Sequence, residues 1–185
     1  MKRTLLCLAL AGGCFAGHAQ VSMVEDFNAT GSSSPTWLTV FKDKLVFMAD
    51  DGTNGNELCM LDTGGVSLVF NINPGGAAAA GFINSRTMAM TDSGTLYFPA
   101  DNGTSGSELY MWDGKNMPLL AYDVNAGGAG SGITELVAIG RKVYFAYNDV
   151  TNGSELWSYD EVGKSIQRLT NIHPGAGSSN PHNLT

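Results

Sequence analysis

The sequence ADDGTNGNEL at positions 49–58 decides the fold, because it occurs three times in this 185-residue chain. The second copy is ADNGTSGSEL at 100–109, and the third is YNDVTNGSEL at 147–156. The Glu-Leu pair therefore recurs at offsets of 51 and 47 residues, and a period of about fifty residues is typical of repeat architectures. In each copy a polar, glycine-rich stretch lies between two apolar runs, which predicts a hairpin within a small all-β unit.

Each repeat carries four predicted strands. They lie at 36–41, 45–49, 57–61 and 66–70, then at 87–91, 96–100, 108–112 and 119–122, and finally at 134–139, 142–147, 155–159 and 165–169. Four strands in about fifty residues are typical of a propeller blade. We therefore predict an all-β fold, a β-propeller-like array of four-stranded antiparallel blades. Because Pro99 has no N–H, its strand is predicted to end early or to bulge there.

The repeats predict three complete units, at about 36–85, 86–132 and 133–180, with a partial unit at each end. Residues 26–28 align with 71–73, so 20–35 are predicted to be the last strand of a preceding unit and its connection. Residues 181–185 align with 35–39, which predicts the start of a fourth unit. Such an array would expose apolar faces at both ends. We expect either a longer propeller or closure by self-association.

The first nineteen residues are predicted to be a secretory signal peptide. Lys2 and Arg3 precede a largely apolar stretch at 4–17, and AGHAQ at 16–20 supplies small residues for cleavage after Ala19. The apolar run is shorter than the roughly 18–20 residues of a membrane span. AGGC at 11–14 is an imperfect lipoprotein acylation box, the less favoured alternative. The predicted location is secreted or cell-surface.

Charge and cysteine content exclude several classes of protein. Loss of Lys2 and Arg3 with the signal peptide takes the formal net charge from −7 to −9. An acidic chain without a Lys/Arg cluster argues against binding to nucleic acid or to an anionic membrane. Cleavage would leave Cys59 as the only cysteine, so the exported domain is expected to be stable by packing and not by an internal disulfide.

The third predicted strand of each unit carries the most specific motif: ELCMLD at 57–62, ELYMWD at 108–113 and ELWSYD at 155–160. With the preceding loop and the following Asn-Ile-Asn-Pro-Gly type segment, this resembles the ELWxxDGT repeat family over residues from about 21 to 185. The resemblance implies secreted or surface β-propeller-like repeats of large bacterial proteins, often exported by type IX secretion, and it implies no chemistry. The repeated motif residues are Glu57, Leu58, Glu108, Leu109, Trp112, Glu155, Leu156 and Trp157.

The three glutamates have a functional and a structural interpretation. As a site they would be catalytic or metal-binding carboxylates. Repetition favours the structural interpretation, since catalysis rarely needs the same carboxylate once per blade. We predict that each accepts hydrogen bonds from backbone N–H groups of its own glycine-rich loop.

The loop residues allow a calcium interpretation, because hard oxygen ligands cluster there. The candidates are Asp50, Asp51, Asp101, Asn102, Asn148 and Asp149. Their spacing does not match the Asp-x-Asp-x-Asp-Gly loop with its distal Glu. Asx residues in such loops more often bond their own backbone. No cofactor is predicted, and a calcium-stabilised array is kept as an alternative.

The aromatic side chains could form a sugar-stacking platform or pack between blades. They are Trp112, Trp157, Tyr97, Tyr110, Tyr144, Phe47, Phe98 and Phe145. Their alternation along the strands favours packing between blades.

The preferred functional hypothesis is a non-enzymatic module for binding, adhesion or scaffolding, part of a larger exported protein, with an unknown protein or polysaccharide as partner. The alternative is a propeller glycosidase or lyase, which needs non-repeated acids that converge on one end. The non-repeated acids are Glu25, Asp43, Asp92 and Glu135. The sequence contains no Gly-x-Ser-x-Gly elbow, no metal-type Cys/His spacing and no phosphate loop.

Overall fold

The computed structural model describes residues 22–78, 87–149 and 151–185. The predicted signal peptide lies outside these residues. Among them, no helix is long and apolar enough to cross a membrane.

The described residues form three four-stranded antiparallel sheets, each in sequence order. The first contains β1 (Thr36–Phe41), β2 (Lys44–Asp50), β3 (Asn56–Asp62) and β4 (Gly65–Phe70). The second contains β5 (Ala89–Met90), β6 (Leu96–Asp101), β7 (Ser107–Trp112) and β8 (Leu119–Tyr122). The third contains β9 (Thr134–Ile139), β10 (Lys142–Asp149), β11 (Gly153–Asp160) and β12 (Ser165–Arg168). The predicted all-β array of four-stranded blades is confirmed, and we call these sheets blades 1, 2 and 3.

Each blade buries both faces of its second strand, because successive side chains of a strand point to opposite sides. In β2, Val46 and Met48 belong to the core shared with blade 2, whereas Phe47 and Ala49 belong to a smaller core on the other face. In β6, Phe98 faces blade 1. This is why the middle strands are apolar at nearly every position.

The main cores lie between neighbouring blades. Phe41 of blade 1 packs against Trp112 of blade 2, with ring centroids 5.1 Å apart. Tyr97 of blade 2 packs against Tyr159 of blade 3, with centroids 5.6 Å apart. The third, smaller core on the free face of blade 1 is covered by Phe27. Stacked flat faces therefore hold the array together.

The aromatic side chains considered for a sugar platform lie mostly in these cores. Phe98, Tyr110 and Trp112 belong to the core between blades 1 and 2. Tyr97, Phe145 and the partly buried Trp157 belong to the core between blades 2 and 3, and Phe47 to the third core. Tyr144 is half-buried.

The prediction for Pro99 was wrong. Strand β6 continues through it to Asp101, and Pro99 pairs with Leu109 without a register shift. The reason lies on the other edge of β6, where the pairing with β5 extends only as far as Tyr97. At Pro99 no described β5 residue requires a backbone donor, so the missing N–H costs nothing. Strand β5 itself is shorter than the predicted 87–91.

The segments at the two ends form no strand over residues 22–35 and 169–185. Their backbones nevertheless repeat the pattern of the units. The N–H of Asp50 donates to Ser33 O at 2.9 Å, as the N–H of Asp101 donates to Ala78 O at 2.9 Å. Residues 22–35 thus lie against blade 1 as the connection after blade 1 lies against blade 2. That they close a preceding unit stays a prediction.

Candidate functional site

The three repeated glutamates lie near the start of the third strand of each blade. Glu57, Glu108 and Glu155 are all 0% exposed. Burial of a carboxylate is costly unless hydrogen bonds replace the lost water. Their hydrogen-bond partners therefore decide what these residues do.

In blades 1 and 2 the partners are backbone N–H groups just after the fourth strand. Glu57 accepts from Ile72 N at 2.9 Å and from Asn73 N at 3.1 Å. Glu108 accepts through Oε2 from Val124 N at 2.7 Å and from Asn125 N at 3.2 Å. Each carboxylate thus joins the third strand of a blade to the segment through which the chain leaves that blade, which we call its exit segment.

Blade 3 uses hydroxyl groups for the same purpose. Oε2 of Glu155 accepts from Thr170 Oγ1 at 2.7 Å, from Ser179 Oγ at 2.8 Å and from Ile172 N at 3.4 Å. The glutamates therefore bind backbone or hydroxyl donors of the exit segments. The expectation that the donors belong to the preceding glycine-rich loop was wrong.

The glycine-rich loops satisfy their own N–H groups. Asp51 Oδ1 accepts from the backbone of Thr53 and Asn54 at 2.8 Å each. In the second loop, Asn102 Oδ1 accepts from Thr104 and Ser105 at 2.9 Å each. These loop N–H groups therefore have acceptors other than the glutamates.

Similar bonds engage one carboxylate oxygen of three of the other residues considered as calcium ligands. Asp50 and Asp101 each accept from the glycine two residues later at 2.7 Å, and Asp149 accepts from Thr151 N at 2.8 Å. Over the parts of the chain that the structure describes, no group of three or more His, Cys, Asp or Glu side chains could hold a metal ion.

The glycine two residues before each glutamate lies against the exit segment, and in blades 2 and 3 the backbones are too close for a side chain. Gly106 has φ +72°, and a Cβ there would lie 2.5 Å from Gly130 N in the exit segment of blade 2. Gly153 has φ +69°, and a Cβ there would clash with the carbonyl of Gly177. The glycines let the exit segment reach the glutamate.

The remaining motif residues pack and terminate strands. Leu58 and Leu109 are fully buried, Trp112 is 5% exposed, and Leu156 and Trp157 are half-buried. The Asp that ends each motif caps the following turn. Asp62 accepts from Gly64 N at 2.7 Å, and Asp113 and Asp160 accept from Lys115 N and Val162 N at 2.8 Å each.

The pKa values of the three glutamates do not all shift in the same direction. Burial raises the pKa of Glu57, against the opposing effect of the Ile72 and Asn73 N–H groups. Burial also raises the pKa of Glu108, to about 7, and Glu108 Oε1 has no hydrogen-bond partner among the described residues. For Glu155, burial acts to raise the pKa, but the donors of Thr170, Ser179 and Ile172 lower it on balance.

Stability is therefore expected to depend on the protonation of Glu108. Its folded pKa of about 7 lies above its ordinary value of 4.5, so the folded state is most stabilised below about pH 4.5 and loses that advantage as the pH rises to about 7. We expect the wild type to gain about 2–3 kcal/mol relative to Glu108→Gln between pH 7.5 and 4.5. Urea unfolding of both proteins at each pH measures this. A constant difference would contradict it.

A concave groove lies along the innermost strands of the three blades. It has a volume of about 760 Å³, and its lining includes Trp37, Leu38, Met88, Leu136 and Leu184. Leu38 is 60% exposed, whereas Leu136 is 3% exposed. Motif analysis missed this groove. The signal was the large apolar residue that recurs at equivalent repeat positions, 38, 88, 136 and 184.

The same unusual backbone conformation recurs in the innermost strands of blades 1 and 3 and near the end of the chain. Trp37, Glu135 and Asn183, at equivalent positions, all have positive φ values, 58°, 58° and 57°. Trp37 and Glu135 are the second residues of β1 and β9, where the pairing with the second strand shifts register, and the side chain that follows each of them lines the groove. The same backbone at Asn183 and the placement of Leu184 in the lining extend the pattern to the end of the chain.

The non-repeated acids proposed for an enzyme lie in different layers of the blades. Glu25 accepts from Val66 N at 2.7 Å, beside the outermost strand of blade 1. Glu135 lies in β9, the innermost strand of blade 3. Asp92 lies in the turn after β5, where its N–H donates to Gly140 O at 2.8 Å, and Asp43 lies in the turn between β1 and β2.

No family model matches the chain, and no curated protein matches it. Solved structures do. A Mycobacterium tuberculosis puromycin-hydrolyzing peptidase is 14% identical, with a TM-score of 0.53 over 74% of this chain and 20% of that chain. A puromycin hydrolase is 17% identical, with a TM-score of 0.51 over 82% and 21%. The β-propeller domain of the Trilobed protease from Pyrococcus furiosus is 16% identical, with a TM-score of 0.44 over 72% of this chain and 38% of that chain.

The chain spans about a fifth of the length of the peptidase and hydrolase chains it matches. At these identities the likeness shows the fold alone. Together with three sequential four-stranded antiparallel sheets packed face to face, it makes this chain a β-propeller-type module.

Proposed function

We propose that this chain is a non-enzymatic binding, adhesion or scaffolding module of a larger exported protein. The observation that carries the proposal is the use of the repeated carboxylates. All three are buried and hydrogen-bonded to the exit segments of their own blades. They hold the fold together and leave the concave groove as the surface for a partner.

The groove supports a binding role by its chemistry. Leucine and methionine side chains lie beside threonines, among them Thr39 and Thr87. Ligand sites are commonly concave and mostly apolar with a few polar groups. The partner class proposed is a protein segment or a polysaccharide. Export through the predicted signal peptide and kinship with the ELWxxDGT repeats are parts of the same proposal.

Binding without turnover is the expected result when the purified chain is screened against polysaccharides and surface-protein fractions with product detection. Leu38→Asp places a charge in the groove and should weaken binding about tenfold or more without lowering the melting temperature. Val162→Asp is the matched control, because Val162 is similarly exposed (66%) but lies in the turn between β11 and β12. Release of products would contradict the proposal, as would equal binding by both variants.

A further inference from the structure

A second cavity lies between blades 2 and 3, away from the groove. Its volume is about 360 Å³, within the range of small-molecule sites. Blade 2 contributes Tyr97, Met111 and Leu119, and blade 3 contributes Tyr159 and Glu161. Both tyrosines belong to the core between these blades. The cavity is thus an incompletely filled part of a blade interface.

Two buried polar atoms at this cavity have no hydrogen-bond partner within the described part of the chain. They are Tyr97 Oη and Glu161 Oε2. Tyr97 is 0% exposed, and the Glu161 side chain is 12% exposed. The other carboxylate oxygen of Glu161 accepts from Ser93 Oγ at 2.6 Å. Buried polar atoms without partners destabilise a fold, so native proteins keep few of them without a reason.

The junction between blades 1 and 2 shows that the fold does not require these polar atoms. There, by register and repeat alignment, Val46 stands where Tyr97 stands, and Gly114 stands where Glu161 stands. Phe41 and Trp112 pack directly at that junction. The Tyr97–Glu161 pair therefore belongs to one junction and not to the repeat.

The charges around the cavity nearly cancel. Glu161 lies 3.5 Å from Arg141 Nη2, and Asp113 and Lys164 also line the cavity. A site with balanced charges favours a neutral ligand over an anion or a cation. Burial first, and then the charge of Glu161, raise the pKa of Tyr97. The phenol thus stays protonated and can donate a hydrogen bond.

We propose that this cavity binds one neutral sugar unit. In the bound state the two side chains shift enough to expose these oxygens to the cavity, so that one sugar hydroxyl donates to Glu161 Oε2 and a neighbouring hydroxyl accepts from Tyr97 Oη. A carbohydrate hydroxyl can both donate and accept, and the exposed Leu119 and half-buried Met111 side chains supply apolar surface for the sugar's C–H groups. The proposal rests on the proposed binding function and gives it a defined site and ligand class.

The test is saturation-transfer NMR on the full chain with the methyl glycosides of glucose, galactose, mannose and N-acetylglucosamine. Glucosamine and glucuronic acid are the charged comparators. Tyr97→Phe and Glu161→Gln each remove one ligand contact while keeping the side-chain shape. We expect at least one neutral glycoside to bind, and each variant to bind it about tenfold more weakly. Tyr110→Phe is the control, because Tyr110 is a buried tyrosine of the other junction.

Melting temperatures separate loss of the site from loss of the fold. Tyr97→Phe removes an unpartnered hydroxyl, so its melting temperature should equal or exceed that of the wild type. The proposal fails if no neutral glycoside binds, if binding survives both variants, or if only a charged comparator binds. If the chain still binds a polysaccharide or a protein but Tyr97→Phe has no effect, this inference fails while the proposed function stands.

Discussion

Glu108→Ala should lower the free energy of unfolding by about 2–5 kcal/mol, one of the two largest effects expected in this protein. The N–H groups of Val124 and Asn125 both donate to this carboxylate, and each would lose its acceptor in a half-buried setting. A buried donor without a partner costs about 1–3 kcal/mol. The truncated side chain also leaves a cavity where a fully buried residue stood.

Glu108→Gln is the matched control for that variant. Its amide oxygen can still accept from the exit segment, its volume is almost unchanged, and it carries no charge in a site that raises the pKa of Glu108, so we expect either a gain in stability or a loss below about 1 kcal/mol at pH 7. Urea denaturation of the three proteins at one pH measures both effects. If Glu108→Ala unfolded at the wild-type midpoint, the carboxylate would not hold the exit segment.

Gly106→Ala should destabilise the chain by about 2–4 kcal/mol through the backbone alone. A side chain at φ +72° is strained, and the new Cβ would lie 2.5 Å from Gly130 N. The exit segment would have to move away from β7, and with it the donors of Glu108.

Gly132→Ala separates these two causes. Gly132 also has a positive φ, 60°, but a Cβ there meets no described atom within 4 Å. Its replacement should cost only about 1 kcal/mol, the penalty of the left-handed backbone. Denaturant midpoints of both variants against the wild type provide the measurement. Equal losses for the two variants would mean that the approach to Gly130 is not tight.

The sequence predicts the blades well, because alternation along strands and a fifty-residue period are local signals. Strands β1, β8 and β9 have the predicted bounds. Pro99 was misjudged because its effect depends on the neighbouring strand, and β5 pairs with β6 only at Leu96 and Tyr97. Propensity at one residue does not reveal which edge of its strand needs a donor.

The candidate sites depend on contacts that the motif alone does not encode. The donors of Glu57 lie 15 and 16 residues later in the chain. The motif therefore indicated a structural carboxylate but not which N–H groups donate to it. The cavity between blades 2 and 3 depends on how two sheets face each other. Tyr97 and Glu161 are 64 residues apart, and only the packing of those sheets brings them to one cavity.

The position of the glutamate bonds also determines where this chain could be opened by circular permutation. A cut at 63–64, in the turn between β3 and β4, would place Glu57 on one side of the opening and its donors Ile72 and Asn73 on the other. A cut in the short turn at 42–43 or 140–141 would leave each carboxylate on the same side of the opening as its donors. Evolution by duplication of whole units meets the same constraint. A copied segment keeps the hydrogen bonds of its glutamate only if it contains both the third strand and the exit segment that follows it.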